Sequence, residues 1–224
     1  MKKMATKLAA PLLQQRRNRQ VMTKLADQLG FVYFGAVSRS THSHPLIHGM
    51  TLSNHLRDRH YTVGSLDGYD IGIVQRTDTL THPGRKSSSH VWTIVQLDLH
   101  TRHDMPHIFI GLHGHSEAFY AQLFAKFAHL QRLPLGIDGG YPKDFLDRYA
   151  IYGSYTQAHK IERLIDPDVA KQLAAHFGTL TVEIDKDTVY IYSEHRIMSS
   201  RLVQTMIQNG IWLAELVDQR ADYL

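Results

Sequence analysis

Val91-Trp92-Thr93-Ile94-Val95-Gln96-Leu97-Asp98-Leu99 is the stretch that decides the fold class. Val91, Thr93, Val95, Leu97 and Leu99 share one side of an extended chain, and Trp92, Ile94, Gln96 and Asp98 share the other. Alternation with period two marks a β-strand, because successive strand side chains point to opposite faces. Downstream, Pro106 closes a turn and His107–Leu112 predicts another strand. Upstream, Tyr61–Ser65 and Asp70–Arg76 flank Asp67-Gly68, a pair that suits the positive φ angles of a two-residue hairpin turn. Farther on, Thr179–Ile184 and Val189–Tyr192 predict a hairpin about Asp185-Lys186-Asp187.

Helices flank these strands. Met4, Leu8, Leu12, Met22, Leu25 and Leu29 recur at the helical period over residues 2–29. Pro11 is expected to divide loose first turns from a firmer helix beginning near Leu12, and Gly30 supplies the stop. Phe31–Val37 predicts a strand. Ser116 can cap a helix from Glu117 to about Leu130, with Phe119, Tyr120, Leu123, Phe124, Phe127 and Leu130 as its apolar stripe. Thr156–Leu164 reads as helix. Asp166-Pro167 opens another, ended by Gly178, and Met198–Asp218 closes the chain as a helix. Strands joined by tight turns, with no βαβ alternation, predict an α+β fold: a mainly antiparallel sheet with packed helices, including N-terminal and C-terminal ones. Leu97, Phe119, Phe124, Phe127 and Trp212 are the expected core. The expected organisation is a basic N-terminal helix over 1–30 and a single α+β domain over 31–224, with 133–143 as a candidate sub-boundary.

Charge is uneven along the chain. Residues 1–30 hold seven Lys or Arg against Asp27 alone, whereas residues 116–224 hold eleven basic and fourteen acidic groups. The basic balance is thus made mainly by the first helix, a pattern that disfavours nucleic acid, whose partners spread basic groups over a folded face. Lys2, Lys3, Lys7, Arg16, Arg17 and Arg19 are the candidate contacts for an anionic surface, with residues 1–20 touching a membrane peripherally. No apolar run approaches the ~20 residues of a spanning helix, and Lys7 interrupts the core that a secretory signal needs. The expected location is cytoplasmic, with contact at the inner face of the membrane.

Twelve of the sixteen histidines fall between His42 and His115, and there is no cysteine. Thiolate metal sites, disulfides and thiol nucleophiles are therefore excluded. His113-Gly114-His115, with Glu117 close behind, carries metal-ligand chemistry at a strand-to-helix junction. His42-x-His44 with His48 does so in a polar loop. The alternative for both is solvated turn histidines, and no metal cage or cofactor is expected. His55 and His60 flank Arg57-Asp58-Arg59, read as a charged turn. Ser87–Ser89 lacks the strand–turn–helix setting of a nucleophile elbow. Gly136–Tyr141 lacks the lysine of a phosphate loop, and Asp185/Asp187 is a turn without EF-hand spacing.

Arg16-Arg17-Asn18-Arg19 through Leu25-Ala26-Asp27-Gln28-Leu29-Gly30-Phe31 resembles the opening of DUF3137-like uncharacterised bacterial domains. Val91–Leu99 with Met105-Pro106 resembles their central strand and following proline. Tyr149-Ala150-Ile151-Tyr152, Ile165-Asp166-Pro167 and Val182–Tyr192 resemble their C-terminal half. The resemblance spans most of residues 16–220 through short motifs, implies a domain of shared architecture, and carries over no catalytic residue. The group often has transmembrane helices ahead of the domain; none is expected in this sequence, with the basic N-terminal helix a weak substitute. The expected function is a non-enzymatic binding or scaffold domain for a protein partner, a homo-oligomer or an anionic membrane surface. The alternative is a metal-dependent enzyme using the histidine-rich segment 42–115.

Overall fold

The computed structural model describes residues 2–36, 47, 49, 57–80, 88–134, 140–195 and 197–224, with the backbone path alone for residues 2–12 and Arg57. Helix α1 (Lys2–Leu29) leads into strands β1 (Val32–Gly35), β2 (Arg57–Leu66), β3 (Tyr69–Leu80), β4 (Ser88–Asp98) and β5 (Met105–Leu112). Then come α2 (Glu117–Leu123), β6 (Gln131–Arg132), α3 (Lys143–Leu146) and β7 (Tyr149–Gly153). Next are α4 (Ala158–Leu164), α5 (Pro167–His176), β8 (Thr181–Lys186), β9 (Thr188–Ser193) and α6 (Ser200–Ala221). The strands form one nine-stranded antiparallel sheet in the order β1-β2-β3-β4-β9-β8-β5-β7-β6. The fold is α+β, with α1 and α6 at the two ends of the chain.

Local chemistry accounts for most boundaries. Asp67 and Gly68 have φ of 51° and 88°, the double positive pair of a two-residue hairpin turn. Gly30 and Gly178, at φ of 72° and 58°, stop α1 and α5. Asp166 accepts from the Val169 N–H at 2.9 Å, and Pro167 follows in the first helical turn. Ser199 caps α6 by accepting from the Leu202 N–H at 3.1 Å.

The alternation in β4 feeds two cores. Val95 and Leu97 pack among α1, α4, α5 and α6. Trp92 and Ile94 join an aromatic layer on the other face with Phe109, Tyr152 and Tyr192 under α2. At Gly210 of α6 an added Cβ would lie 2.5 Å from Leu97, so the helix backbone comes down directly onto β4. Leu97, Phe119 and Phe124 are buried; Phe127 and Trp212 are half-buried at the rims of the two layers.

Three local expectations change. The helix from Glu117 ends at Leu123, not Leu130. Beyond it, i→i−3 bonds from Ala125, Phe127 and Leu130 wind tighter turns that still bring Phe124 and Leu130 onto the sheet. α1 runs through Pro11 without a break; proline there removes one helical N–H, and the flanking turns continue. Residues 57–59 lie in β2 and not in a turn. There Asp58 accepts two bonds from Arg76, from Nε and from Nη2, both at 2.7 Å, while Nη2 also reaches the Ile47 carbonyl at 2.6 Å.

Two substitutions test this core. Leu97→Ala should destabilise by about 2–5 kcal/mol, since a cavity opens beneath α6. Asp58→Ala should cost about 3–5 kcal/mol by leaving the Arg76 guanidinium, 1% exposed, buried without its carboxylate. Urea unfolding of both variants against the parent measures these losses; parental midpoints would refute the assignments.

Candidate functional site

Asn18 explains how α1 sits. It is the one uncharged residue in Arg16-Arg17-Asn18-Arg19 and is 2% exposed. Its amide donates to Gln75 Oε1 of β3 at 3.1 Å, and its oxygen accepts from the Met198 N–H at 3.3 Å. Met22, Leu25 and Ala26 continue the buried stripe. That geometry leaves Arg16, Arg17 and Arg19 exposed. Lys2, Lys3 and Lys7 lie on the same helix, with side chains outside the described residues.

Beneath this helix the β2–β3 ladder is irregular. Arg59 pairs with Gln75 but the next pair is Thr62 with Ile73, so β2 carries one extra residue. The bulge sets His60 at a φ of 58°, a left-handed conformation uncommon outside glycine, although histidine, asparagine and aspartate adopt it more often than other side chains. His60 is 5% exposed. Its Nδ1 lies 2.9 Å from the Tyr33 hydroxyl of β1, and among the described residues its buried Nε2 has no hydrogen-bond partner. Burial, reinforced by Arg59 and Arg19, holds the imidazole below its ordinary pKa and hence uncharged. Burial pushes Tyr33 up, against a smaller downward pull from Arg19.

A cleft of about 580 Å³ opens here, lined by Gln15, Arg16 and Arg19 of α1, by Tyr33 and Phe34 of β1, and by Arg59 and His60 of β2. Among the described residues, its lining includes three arginines and no carboxylate. With its amide turned to present oxygen, Gln15 accepts from Arg59, the Nε contact being 3.2 Å. Leu13, Val32 and Phe34 are exposed to 64%, 56% and 40%, giving this end of the molecule apolar side chains beside its cations.

The histidines distribute differently from their spacing in the sequence. His113 lines a separate cavity with Arg132, Tyr141 and Tyr149, whereas His115 turns to Glu194, Nε2 to Oε2 3.2 Å, and stacks on Phe119. His90 meets the same carboxylate, Nδ1 to Oε1 2.5 Å, while its Nε2 lies 2.8 Å from Ser88 Oγ. His107 donates toward Glu183, 1% exposed, at 2.8 Å; its other nitrogen faces His129 at 2.9 Å, and Tyr192 also bonds Glu183. Among the described residues no three His, Cys, Asp or Glu side chains converge on a metal position. His42, His44, His48 and His55 lie outside the described residues. Both histidine–glutamate clusters join residues far apart in the chain, so spacing could not reveal them.

No protein-family model matches the chain, and no curated protein is significantly similar to it in sequence. Among solved structures, the crystal structure of the mycobacterial trehalose monomycolate transport factor A, TtfA, is similar in fold. The TM-score is 0.61 at 11% identity, over 90% of this chain and 95% of that one. Among the described residues, no helix is long and apolar enough to cross a membrane.

Glu194 gives a pH test. Burial raises its carboxyl, but hydrogen bonds from His115 and His90 outweigh that and hold it below the ordinary carboxylate range. A depressed folded pKa stabilises the fold above the unfolded value of about 4.3, and the gain is lost as pH falls through the folded value. The stability difference between parent and Glu194→Gln should therefore be complete above about pH 5 and shrink toward pH 3. A difference that stays flat across that range in urea titrations would rule out the coupling.

Proposed function

We propose that this protein is a non-enzymatic accessory domain that docks on an anionic partner through the exposed face of α1 and the adjoining cleft. The observation that carries this reading is the gathering of Arg16, Arg19 and Arg59 around one opening whose lining, among the described residues, includes no carboxylate. Cations so arranged repel one another, and a bound anion relieves that repulsion. The exposed Leu13, Val32 and Phe34 beside them favour an anionic membrane surface over an acidic protein, because an interfacial site combines apolar insertion with electrostatic attraction. A membrane's inner face, rich in anionic lipid, is the fitting place for it. TtfA, of like fold, is a transport factor, which agrees with an accessory role.

Co-sedimentation with vesicles of phosphatidylcholine alone or with added phosphatidylglycerol tests the reading. Arg16→Gln/Arg17→Gln/Arg19→Gln removes three charges worth about 1 kcal/mol each near an anionic surface, so binding should fall about a hundredfold. High salt should weaken the parent similarly, and deletion of residues 1–11, which removes Lys2, Lys3 and Lys7, should weaken it as well. Equal sedimentation of all chains with both vesicle types would defeat the proposal.

One observation favours a second reading. Ser88 Oγ, His90 and Glu194 stand in the atom order of a nucleophile, base and orienting carboxylate. Ser88 and His90, two apart on β4, share a strand face. If this arrangement activates Ser88, a fluorophosphonate probe should label it with loss of fluoride, and Ser88→Ala should abolish labelling. An unlabelled parent chain ends this reading.

A further inference from the structure

We infer that the cleft between α1, β1 and β2 is a binding site for a phosphate oxyanion, with the buried His60 as its floor and Arg16, Arg19 and Arg59 as its walls. The inference rests on the docking role proposed above and names the chemistry that the docking face selects.

His60 combines two unfavourable features. Its backbone is left-handed at a bulge, and its buried Nε2 has no partner among the described residues. Strained residues of this kind persist where the surrounding structure holds them for a task, and bulges commonly re-aim a side chain beside a site. Here the device places His60, 5% exposed, in the lining of the cleft. The proposed site has the Tyr33 hydroxyl, 2.9 Å from Nδ1, donating that bond, which places the ring proton on Nε2. The unpartnered atom is then an N–H donor on a neutral ring. It suits an anion's oxygen and adds no further charge to three arginines.

The walls argue for phosphate over carboxylate. A carboxylate has two oxygens in one plane, which a single guanidinium fork satisfies. Arg16 and Arg19 descend from α1 while Arg59 rises from β2, with Gln15 holding it. Donors from two elements, with an N–H below, match an anion whose oxygens point in three dimensions. A phosphate monoester or a phospholipid headgroup presents that group, and a cleft of about 580 Å³ admits either.

The test uses the full chain, 15N-labelled, with the His60 ring nitrogens followed by NMR. Inorganic phosphate, glycerol phosphate and acetate are titrated at equal ionic strength, and vesicle binding is measured in parallel. Phosphate should shift His60 Nε2 saturably and acetate should not. Arg59→Gln and His60→Asn should each weaken phosphate binding at least tenfold; asparagine suits the left-handed backbone, so the fold is expected to persist. Tyr33→Phe keeps every arginine and the imidazole but frees the tautomer, and should weaken binding several-fold even if His60→Asn fails to fold. Vesicle binding lost with His60→Asn identifies a lipid headgroup as source. Phosphate binding with vesicle binding unaffected identifies a soluble phosphate. Equal shifts by phosphate and acetate, or shifts at exposed arginines alone, overturn the site, yet leave the docking role standing if anionic vesicles still bind. Failure of phosphate and vesicles alike overturns both.

Discussion

The pairing of β4 with β9 is the constraint on which the rest of the molecule depends. Six residue pairs, from Thr93 with Ser193 to Asp98 with Thr188, join an N-terminal meander to the C-terminal hairpin. That hairpin is inserted between β4 and β5, strands that adjoin in sequence but not in the sheet. Without the seam, β1–β4 and β5–β9 would be two smaller sheets with open edges. α6 covers the seam, and its Gly210 allows the contact with Leu97 that locks it. The seam also carries Glu194 to His90 and His115, residues that no local element could assemble.

Features set by a few neighbouring residues were legible in the amino-acid order. The β4 alternation, the Asp67-Gly68 turn, the glycine stops at Gly30 and Gly178 and the Asp166-Pro167 cap all express backbone preferences within one or two turns of chain. The sheet order was not legible, because nothing in Thr188–Ser193 by itself selects β4 as a partner over β5. Nor was the tightening after Leu123, where the sheet surface sets the positions of Phe124 and Leu130. For the cleft, the arginines of α1 stood out as a charge excess, whereas Arg59 and His60 were hidden in what read as a charged turn. The signal was the failure of period-two alternation just before Tyr61, which is the footprint of the bulge.

The two faces of the sheet use different chemistry. The helical side is mainly aliphatic, with Phe31, Phe145, Tyr149 and Phe177 among its few aromatics, and α1, α4, α5 and α6 pack there largely by shape, the Asn18–Gln75 bond of α1 apart. The other side mixes aromatic rings with buried polar groups, among them Glu183 with His107 and Tyr192, and Arg76 with Asp58. Described residues of the chain between β1 and β2 are drawn to this side by such groups: the Ile47 carbonyl accepts from Arg76, and a side chain on Gly49 would collide with the Tyr192 hydroxyl. Hydrogen bonds with fixed directions hold a connecting segment where apolar packing alone would let it slide.

A sheet of this breadth still has two ends. β6 is two residues long and carries Arg132; β1 is four residues long and lies beside Arg16, Arg19 and Arg59. Unpaired strand edges invite other chains to add on, and short, cationic edges discourage it. Copies of this molecule that meet edge to edge bring guanidinium against guanidinium. The same arginines that the proposed anion site uses thus also discourage edge-to-edge addition of copies, so one small set of side chains serves both purposes.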